Sequence, residues 1–281
     1  MTLAATADLV GAARANGTGV AALNVIQLEH AQGIVAAAEQ VGRPVILQVS
    51  ENALRYHGGD VATIAAALRS LASRSAAPVA LHLDHATGFA LCREAVEEGF
   101  GSFMIDASAE PYDRNLALTA EAAAWGHEHG AWVEAELGEV GGKGAHVSGA
   151  RTDPAEAAAF VRDTGVDGLA VAIGSSHAMV DRTATLDLPL LAGIREAVPV
   201  PLVLHGSSGV PDDTIAAAVA AGITKVNVST QLNAAMTGAI REALAAAPEL
   251  VDPRKYLAPG RDAVRERAAH FLTLISKGPL T

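Results

Sequence analysis

Apolar positions fall along this chain in short, β-branched runs separated by longer alanine-rich stretches. Eight runs read as strands: GVAALNVI (19–26), PVILQVS (44–50), PVALHLDH (78–85), SFMIDAS (102–108), AWVEAELG (131–138), DGLAVAIG (167–174), VPLVLHG (200–206) and TKVNVST (224–230). Each is too short for a helix and is followed by a stretch of helical length, such as EHAQGIVAAAEQVG or PDDTIAAAVAAG. Helix boundaries are marked: Asp153-Pro154 opens one helix, and Gly222 closes the helix that starts at Asp212. Near-continuous apolar strands alternating with helices specify a parallel sheet covered on both faces. Eight such units favour closure over an open sheet. The pattern therefore predicts an α/β fold, a single-domain (β/α)8 barrel (TIM barrel) over residues 1–281. An extra N-terminal helix, TLAATADLVGAARAN, precedes the first strand, and a further helix, RDAVRERAAHFLTLIS, is appended at the C-terminus. No linker, low-complexity stretch or residue-level repeat divides the chain.

Composition narrows the function classes. The chain has 281 residues, half of them apolar, and a formal net charge of −11. That charge argues against nucleic-acid and anionic-lipid partners. An acidic chain can still bind phosphate through backbone N–H groups, helix N-termini or a bound cation. The lone Cys92 rules out an internal disulfide framework. With neither a signal-peptide pattern nor an apolar stretch of ~18 residues, no membrane span is expected and the chain reads as cytoplasmic.

In such a barrel, chemistry collects at the C-terminal ends of the strands. Those ends here carry Asn24, Ser50, Asp84-His85, Asp106 with Ser108, and Glu134 with Glu136. They are followed by His177 in GSSH, His205-Gly206, and Asn227, Ser229 and Thr230. A single histidine at a strand end is ordinarily a hydrogen-bonded structural residue. Three of them, His85, His177 and His205, on strands facing a shared axis can converge, and three neutral imidazoles suit zinc with an open position. Glu134 and Glu136 share one strand face; Glu134 reads either as an exposed rim residue or as a partner behind a ligand. Asp84 and His85 are adjacent and would face opposite ways in a regular strand. Both can reach one pocket only if the strand ends between them. His82 reads as structural.

The ordered motifs HLDHAT, MIDAS, VEAELGEVGG, AVAIGSSH, PLVLHGSSGV and KVNVST resemble those of the class II, metal-dependent ketose-bisphosphate aldolases, in the fructose- and tagatose-bisphosphate branch. The resemblance runs from ALNVIQLE to DPRKYL. It implies His85, His177 and His205 as ligands of a catalytic Zn2+, and Asp84 as the residue handling the proton at the aldehyde or hydroxyl oxygen. Asp106 and Glu136 would form a second or displaced divalent position. Gly206 and Ser208, with Asn227, Ser229 and Thr230, would cradle the phosphate, beside a monovalent cation. Asn24 and Ser50 would face the substrate. Arg267 would reach the distal phosphate of a neighbouring subunit, in a homo-oligomer, dimer or tetramer.

The residues agree with that chemistry. Cleaving a β-hydroxy ketone needs an electron sink, either a Lewis-acid metal or a Schiff-base lysine. Of the four lysines, Lys225 opens strand eight at the wrong end of the barrel, Lys255 and Lys277 lie beyond the strands, and Lys143 sits on a glycine-rich loop. The metal route is favoured. Two departures from the family pattern stand out. The loop after strand five reads GGKGAHVSGARTDP, with Lys143 and Gly144 where an acidic pair is usual. Either Glu139 or His146 substitutes as the base, with His146 the nearer titratable candidate, or proton exchange is slow, or the chain has a different physiological reaction. The strand-six motif reads His177-Ala178 rather than His-Gly, with Val180 at the following aromatic position.

The expected activity is zinc-dependent, reversible cleavage of a small phosphorylated ketose, fructose or tagatose 1,6-bisphosphate by default, to dihydroxyacetone phosphate and an aldehyde. Alternatives are a class II aldolase for another ketose 1-phosphate with a sulfonated or deoxy-acid tail, or a non-catalytic sugar-phosphate-binding relative lacking the loop acid. A metal-dependent hydrolase is disfavoured, because strand one lacks a histidine pair.

Overall fold

The computed structural model describes residues 3–137, 151–176 and 179–277. Eight parallel strands form a closed barrel in sequence order: β1 (Val20–Asn24), β2 (Val45–Ser50), β3 (Val79–Ala86), β4 (Ser102–Ile105), β5 (Trp132–Glu136), β6 (Gly168–Ala170), β7 (Leu202–Leu204) and β8 (Ile223–Val228). β1 pairs with both β2 and β8, which closes the ring. All eight predicted strands are present. Most of the apolar runs are trimmed, chiefly at their C-terminal ends, where the residues pass into the functional loops; β3 instead runs one residue further, to Ala86, and β8 begins one residue earlier, at Ile223.

The strand residues divide between two apolar clusters. Ala21, Leu23, Val45 and Leu47 face outward into a large core shared with the surrounding helices. Ala22, Ile46, Ala80, Trp132 and Val203 face inward and pack with Val10 and Ala13 of α1 (Thr6–Ala15). The extra N-terminal helix therefore plugs the lower end of the barrel. Gly168 lets Trp132 fill that interior, since a Cβ there would lie 2.4 Å from the indole ring.

The remaining helices coat the outside: α2 (Leu28–Val41), α3 (Glu51–Tyr56), α4 (Val61–Ala72), α5 (Phe89–Glu97), α6 (Tyr112–Glu128), α7 (Pro154–Thr164), α8 (Leu188–Ala197), α9 (Asp212–Ala221), α10 (Thr230–Ala246) and α11 (Pro253–Ile275). Asp153 caps α7 by accepting from the Ala155 and Glu156 amides, and Pro154 occupies the first helical turn, as the sequence predicts. Gly222 ends α9 at φ +124°. The appended helix begins at Pro253, eight residues before its predicted start. It runs through Pro259, because Asp252 caps it and Gly260 packs so closely on α10 that a Cβ there would lie 3.0 Å from Ile240. Tertiary burial there outweighs the local penalty of about 3 kcal/mol for an internal proline. Among the described residues no helix is long and apolar enough to cross a membrane.

Candidate active site

The upper end of the barrel holds a cavity of about 230 Å³ whose lining includes Asn24, Ser50, Asp84, His85, Ser208 and Asn227. Gly206, Ser229 and Thr230 also face it. Residues from β1, β2, β3, β7 and β8 thus meet at one rim. Asp106 and Glu136 lie behind that rim, and His177 and the loop candidates His146, Glu139 and Lys143 lie outside the described residues.

Asp84 and His85 reach this pocket by a route different from the one the sequence suggests. β3 does not end between them; it continues to Ala86. Its register against β4 shifts between Leu83 and Ala86, and His85 has φ +52°, making it the one non-glycine residue with positive φ among those described. A bulge of this kind re-aims a side chain without ending the strand. It brings His85 round to the side of Asp84, with Nε2 3.9 Å from Asp84 Oδ1.

His85, His205 and Asp84 form a group whose potential ligand atoms all lie within 4.8 Å of one another. His85 Nδ1 lies 2.5 Å from Asp106 Oδ2, and His205 Nε2 lies 2.9 Å from Glu134 Oε1. Each carboxylate is placed to accept an N–H from its histidine, and His205 Nε2 also has Asn227 Nδ2 at 3.0 Å. In a neutral imidazole the other nitrogen then carries only a lone pair. Those two nitrogens, His85 Nε2 and His205 Nδ1, face each other at 3.1 Å. Burial lowers the pKa of His205, so its ring is neutral near pH 7. In the tautomer set by the two carboxylates, a cation between the rings would accept a lone pair from each. The roughly 3.4 Å separation of two nitrogens on a tetrahedral zinc is close to what is seen. The residues fit a divalent cation.

Asp106 is expected as a ligand of a second metal position, yet here its Oδ2 is committed to His85, and Oδ1 accepts from the Ser108 hydroxyl at 2.6 Å. Burial alone would raise the Asp106 carboxyl; the bonds to His85 and Ser108 outweigh it and hold the group below the usual range. Glu136 Oε2 lies 3.8 Å from His205 Nδ1, on the metal-facing side of that ring.

Glu134 is fully buried, which removes its reading as an exposed rim residue. Lys225 also needs correction. It is not at the wrong end of the barrel: its side chain is buried in the interior, with Nζ 2.8 Å from both Glu134 Oε2 and Asn227 Oδ1. The Schiff-base route stays disfavoured on new grounds, since this ammonium is committed to a buried carboxylate. Burial pushes the Glu134 carboxyl up, but the Lys225 charge and the His205 bond more than compensate, leaving it at about 2. His82 is buried below, with Nδ1 2.9 Å from Ser102 Oγ; burial, then the Lys225 charge, lowers it to about 3.

Asp84 is held by amides from two strands. Asn24 Nδ2 approaches Oδ2 at 3.3 Å and Asn227 Nδ2 approaches Oδ1 at 3.4 Å. Gln48, which sequence reasoning missed, donates to Asn24 Oδ1 at 2.6 Å and lines the cavity. The signal was available: Gln48 lies two residues before Ser50, on the same strand face. Ser50 itself caps α3 by accepting from the Ala53 amide.

The rim beyond His205 is made of small residues. Gly206 has φ +65°, and a Cβ there would meet the Ser176 backbone at 2.7 Å. Ser208 Oγ lies 3.4 Å from the amides of both Ser229 and Gln231, at the N-terminus of α10. Backbone N–H groups so placed suit an anion. Arg267 is half-buried on α11, outside the residues that line the cavity.

Comparison with known proteins places this arrangement. The family profile described as Fructose-bisphosphate aldolase class-II matches residues 4–278. The fructose-bisphosphate aldolase of Geobacillus stearothermophilus is 40% identical over 94% of each chain. The probable fructose-bisphosphate aldolase of Bacillus subtilis is 41% identical over 95% of each. Among solved structures, the YdjI aldolase from Escherichia coli K12 superposes with a TM-score of 0.85, at 32% identity over 99% of both chains. The closed barrel, the metal-suited histidine pair and near full-length similarity agree: this chain belongs to the class II fructose-bisphosphate aldolase family, the metal-dependent aldehyde-lyases.

Proposed function

We propose that the chain is a zinc-dependent aldolase that cleaves a phosphorylated ketose, fructose or tagatose 1,6-bisphosphate, to dihydroxyacetone phosphate and an aldehyde. The observation that carries this reading is the convergence of His85, His205 and Asp84, whose potential ligand atoms lie within 4.8 Å of one another, with His85 Nε2 3.1 Å from His205 Nδ1. In this reading His85, His205 and His177 hold Zn2+, which when bound supplies the electron sink that carbon–carbon cleavage needs. Asp106 and Glu134 orient the first two rings. Glu136, on the metal-facing side of His205, suits a second or displaced divalent position better than Asp106, whose oxygens are engaged.

Asp84 takes the proton from the substrate hydroxyl as the bond breaks and returns it in the aldol direction. The Asn24 and Asn227 amides keep its carboxylate aimed into the cavity. Gly206, Ser208, Ser229 and Thr230 receive the phosphate next to the ketone, with backbone N–H groups supplying the positive field and a monovalent cation close by. Asn24 and Ser50 contact the sugar hydroxyls. His146 is the proposed group that gives a proton to the carbon that becomes the dihydroxyacetone phosphate methylene in cleavage and removes it, as the base, in the aldol direction. Arg267, on the outer wall, would serve a neighbour's cavity rather than its own, so the reading includes a homo-oligomer, dimer or tetramer. A cytoplasmic location is part of the same reading and rests on composition.

A recess of about 290 Å³ adjoins the cavity, lined by Val25, Ile26, Ala53 and Tyr56 together with the polar Asn24, Ser50, Asn52 and Ser229. Its polar side chains suit the hydroxyls of the substrate tail.

Coupled detection of dihydroxyacetone phosphate, with and without chelator, tests the proposal. Cleavage that chelator abolishes and Zn2+ restores is expected; chelator-insensitive cleavage would sink it. Metal binding with no turnover of any ketose 1-phosphate would point to the non-catalytic alternative.

A further inference from the structure

We propose that Gln231 is a positioning residue for the phosphate cradle, acting through Ser208 and not by touching substrate. The proposal rests on the reading of the cavity rim as a phosphate site. Gln231 is buried in the first turn of α10 and is not among the residues lining the cavity. Its side-chain amide donates to two carbonyl oxygens at 3.0 Å each, Ser208 O on the β7 side and Val180 O in the segment after β6. That geometry fixes the orientation of the amide. A flipped side chain would place its own oxygen against both carbonyls, so only the donor end can sit there.

Gln231 therefore holds Ser208 from two sides. Its backbone amide faces Ser208 Oγ and its side chain holds Ser208 O. Ser208 in turn sits among the amides that would receive the phosphate, including that of Ser229. The second N–H, on Val180 O, fastens the facing segment to the same point.

Independent ties join the same two segments. The Ala184 amide donates to Gly209 O at 2.9 Å. Arg182 donates to Val210 O through Nε at 2.9 Å and Nη2 at 2.6 Å. Its guanidinium is paired with Asp212 at 2.6 Å and lies over the Phe271 ring. Met179 fills the space that a side chain at Gly209 would occupy. Residues 179–184 are thus strapped across 208–210. The buried strap is Gln231 and the outer one is Arg182. A cradle built from backbone amides has no side-chain charge to tolerate misplacement, so its affinity depends on where Ser208 and its neighbours are held.

The experiment is calorimetric titration of inorganic phosphate into wild type, Gln231→Met and Arg182→Met, with thermal melts on the same samples and steady-state kinetics. Gln231→Met keeps the length and removes both donors. We expect phosphate to bind at least tenfold more weakly to Gln231→Met and about threefold more weakly to Arg182→Met. KM for the phosphorylated ketose should rise more than kcat falls. Phosphate affinity within twofold of wild type in folded Gln231→Met overturns the proposal even if its melting temperature drops, because that is the signature of a purely structural role. If Gln231→Met does not fold, unchanged phosphate affinity in Arg182→Met overturns it. Wild type that fails to bind phosphate removes the cradle reading and this proposal together; wild type that binds while both variants match it removes this proposal alone.

Discussion

His85 Nε2 and His205 Nδ1 lie 3.1 Å apart, each ring having its other nitrogen on a buried or half-buried carboxylate. With the ring protons on the carboxylate side, both facing nitrogens are available to a cation placed between them. Metal binding should therefore stabilise the fold. Adding zinc to chelator-stripped protein at ~100 times its dissociation constant should add about 2.7 kcal/mol, seen as a rise in melting temperature. His205→Ala should abolish most of that rise; an equal rise in the variant would place the metal elsewhere.

Asp106 holds His85 by its far nitrogen. Asp106→Asn keeps the shape but removes the charge, and loss of such a partner typically weakens metal binding 10–100-fold. Competition against a chromophoric chelator measures it. If the residue were instead a ligand of a separate second ion, the substitution would lower the binding stoichiometry and leave the first affinity unchanged.

Asp84 is the proposed proton carrier. Asp84→Asn should lower cleavage by roughly 10²–10⁴-fold, the usual worth of positioned acid–base catalysis. Inorganic phosphate should still bind within a few-fold of wild type. Loss of phosphate binding to the same extent as activity would mean that Asp84 shapes the pocket rather than serving the chemistry.

Acid should weaken the metal-free fold earlier than carboxylates alone would cause. Burial lowers His82 to about 3 and also lowers His205. Below about pH 6.5 the unfolded chain protonates both rings and the folded chain does not, so stability falls as pH drops, by about 1.4 kcal/mol per pH unit for each fully responding histidine. The His82 contribution continues down to about pH 3. The depressed carboxyl of Glu134 acts in a lower window: its stabilisation is complete above the unfolded value near pH 4.3 and is lost as pH falls towards 2. Urea unfolding of chelator-treated protein at pH 7, 6 and 5 checks this; a flat profile over that range would contradict it.

Much of the site was legible because a barrel turns position along a strand into position around a rim. Once eight strands were recognised, His85, His205, Asp84, Asn24 and Asn227 could be assigned to one end, where the structure places them together. Direction was harder to read. Lys225 and Glu134 are both charged strand residues, and their sequence positions do not reveal that they satisfy each other inside the barrel, across three strands. Gln231 and Arg182 escaped notice for a similar reason: each acts by holding a backbone carbonyl far away in sequence.

The sequence by itself determined the eightfold alternation, the closure it implies and the chemical identity of the rim, because periodicity and strand-end chemistry are local properties. Only the tertiary structure decided how adjacent Asp84 and His85 share a pocket. A bulge that puts His85 at φ +52° is sustained by the register of β3 against β4. Which nitrogen of each histidine faces the other ring likewise depends on carboxylates from β5 and from the end of β4. Those partners are set by packing across the barrel, which no stretch of sequence contains.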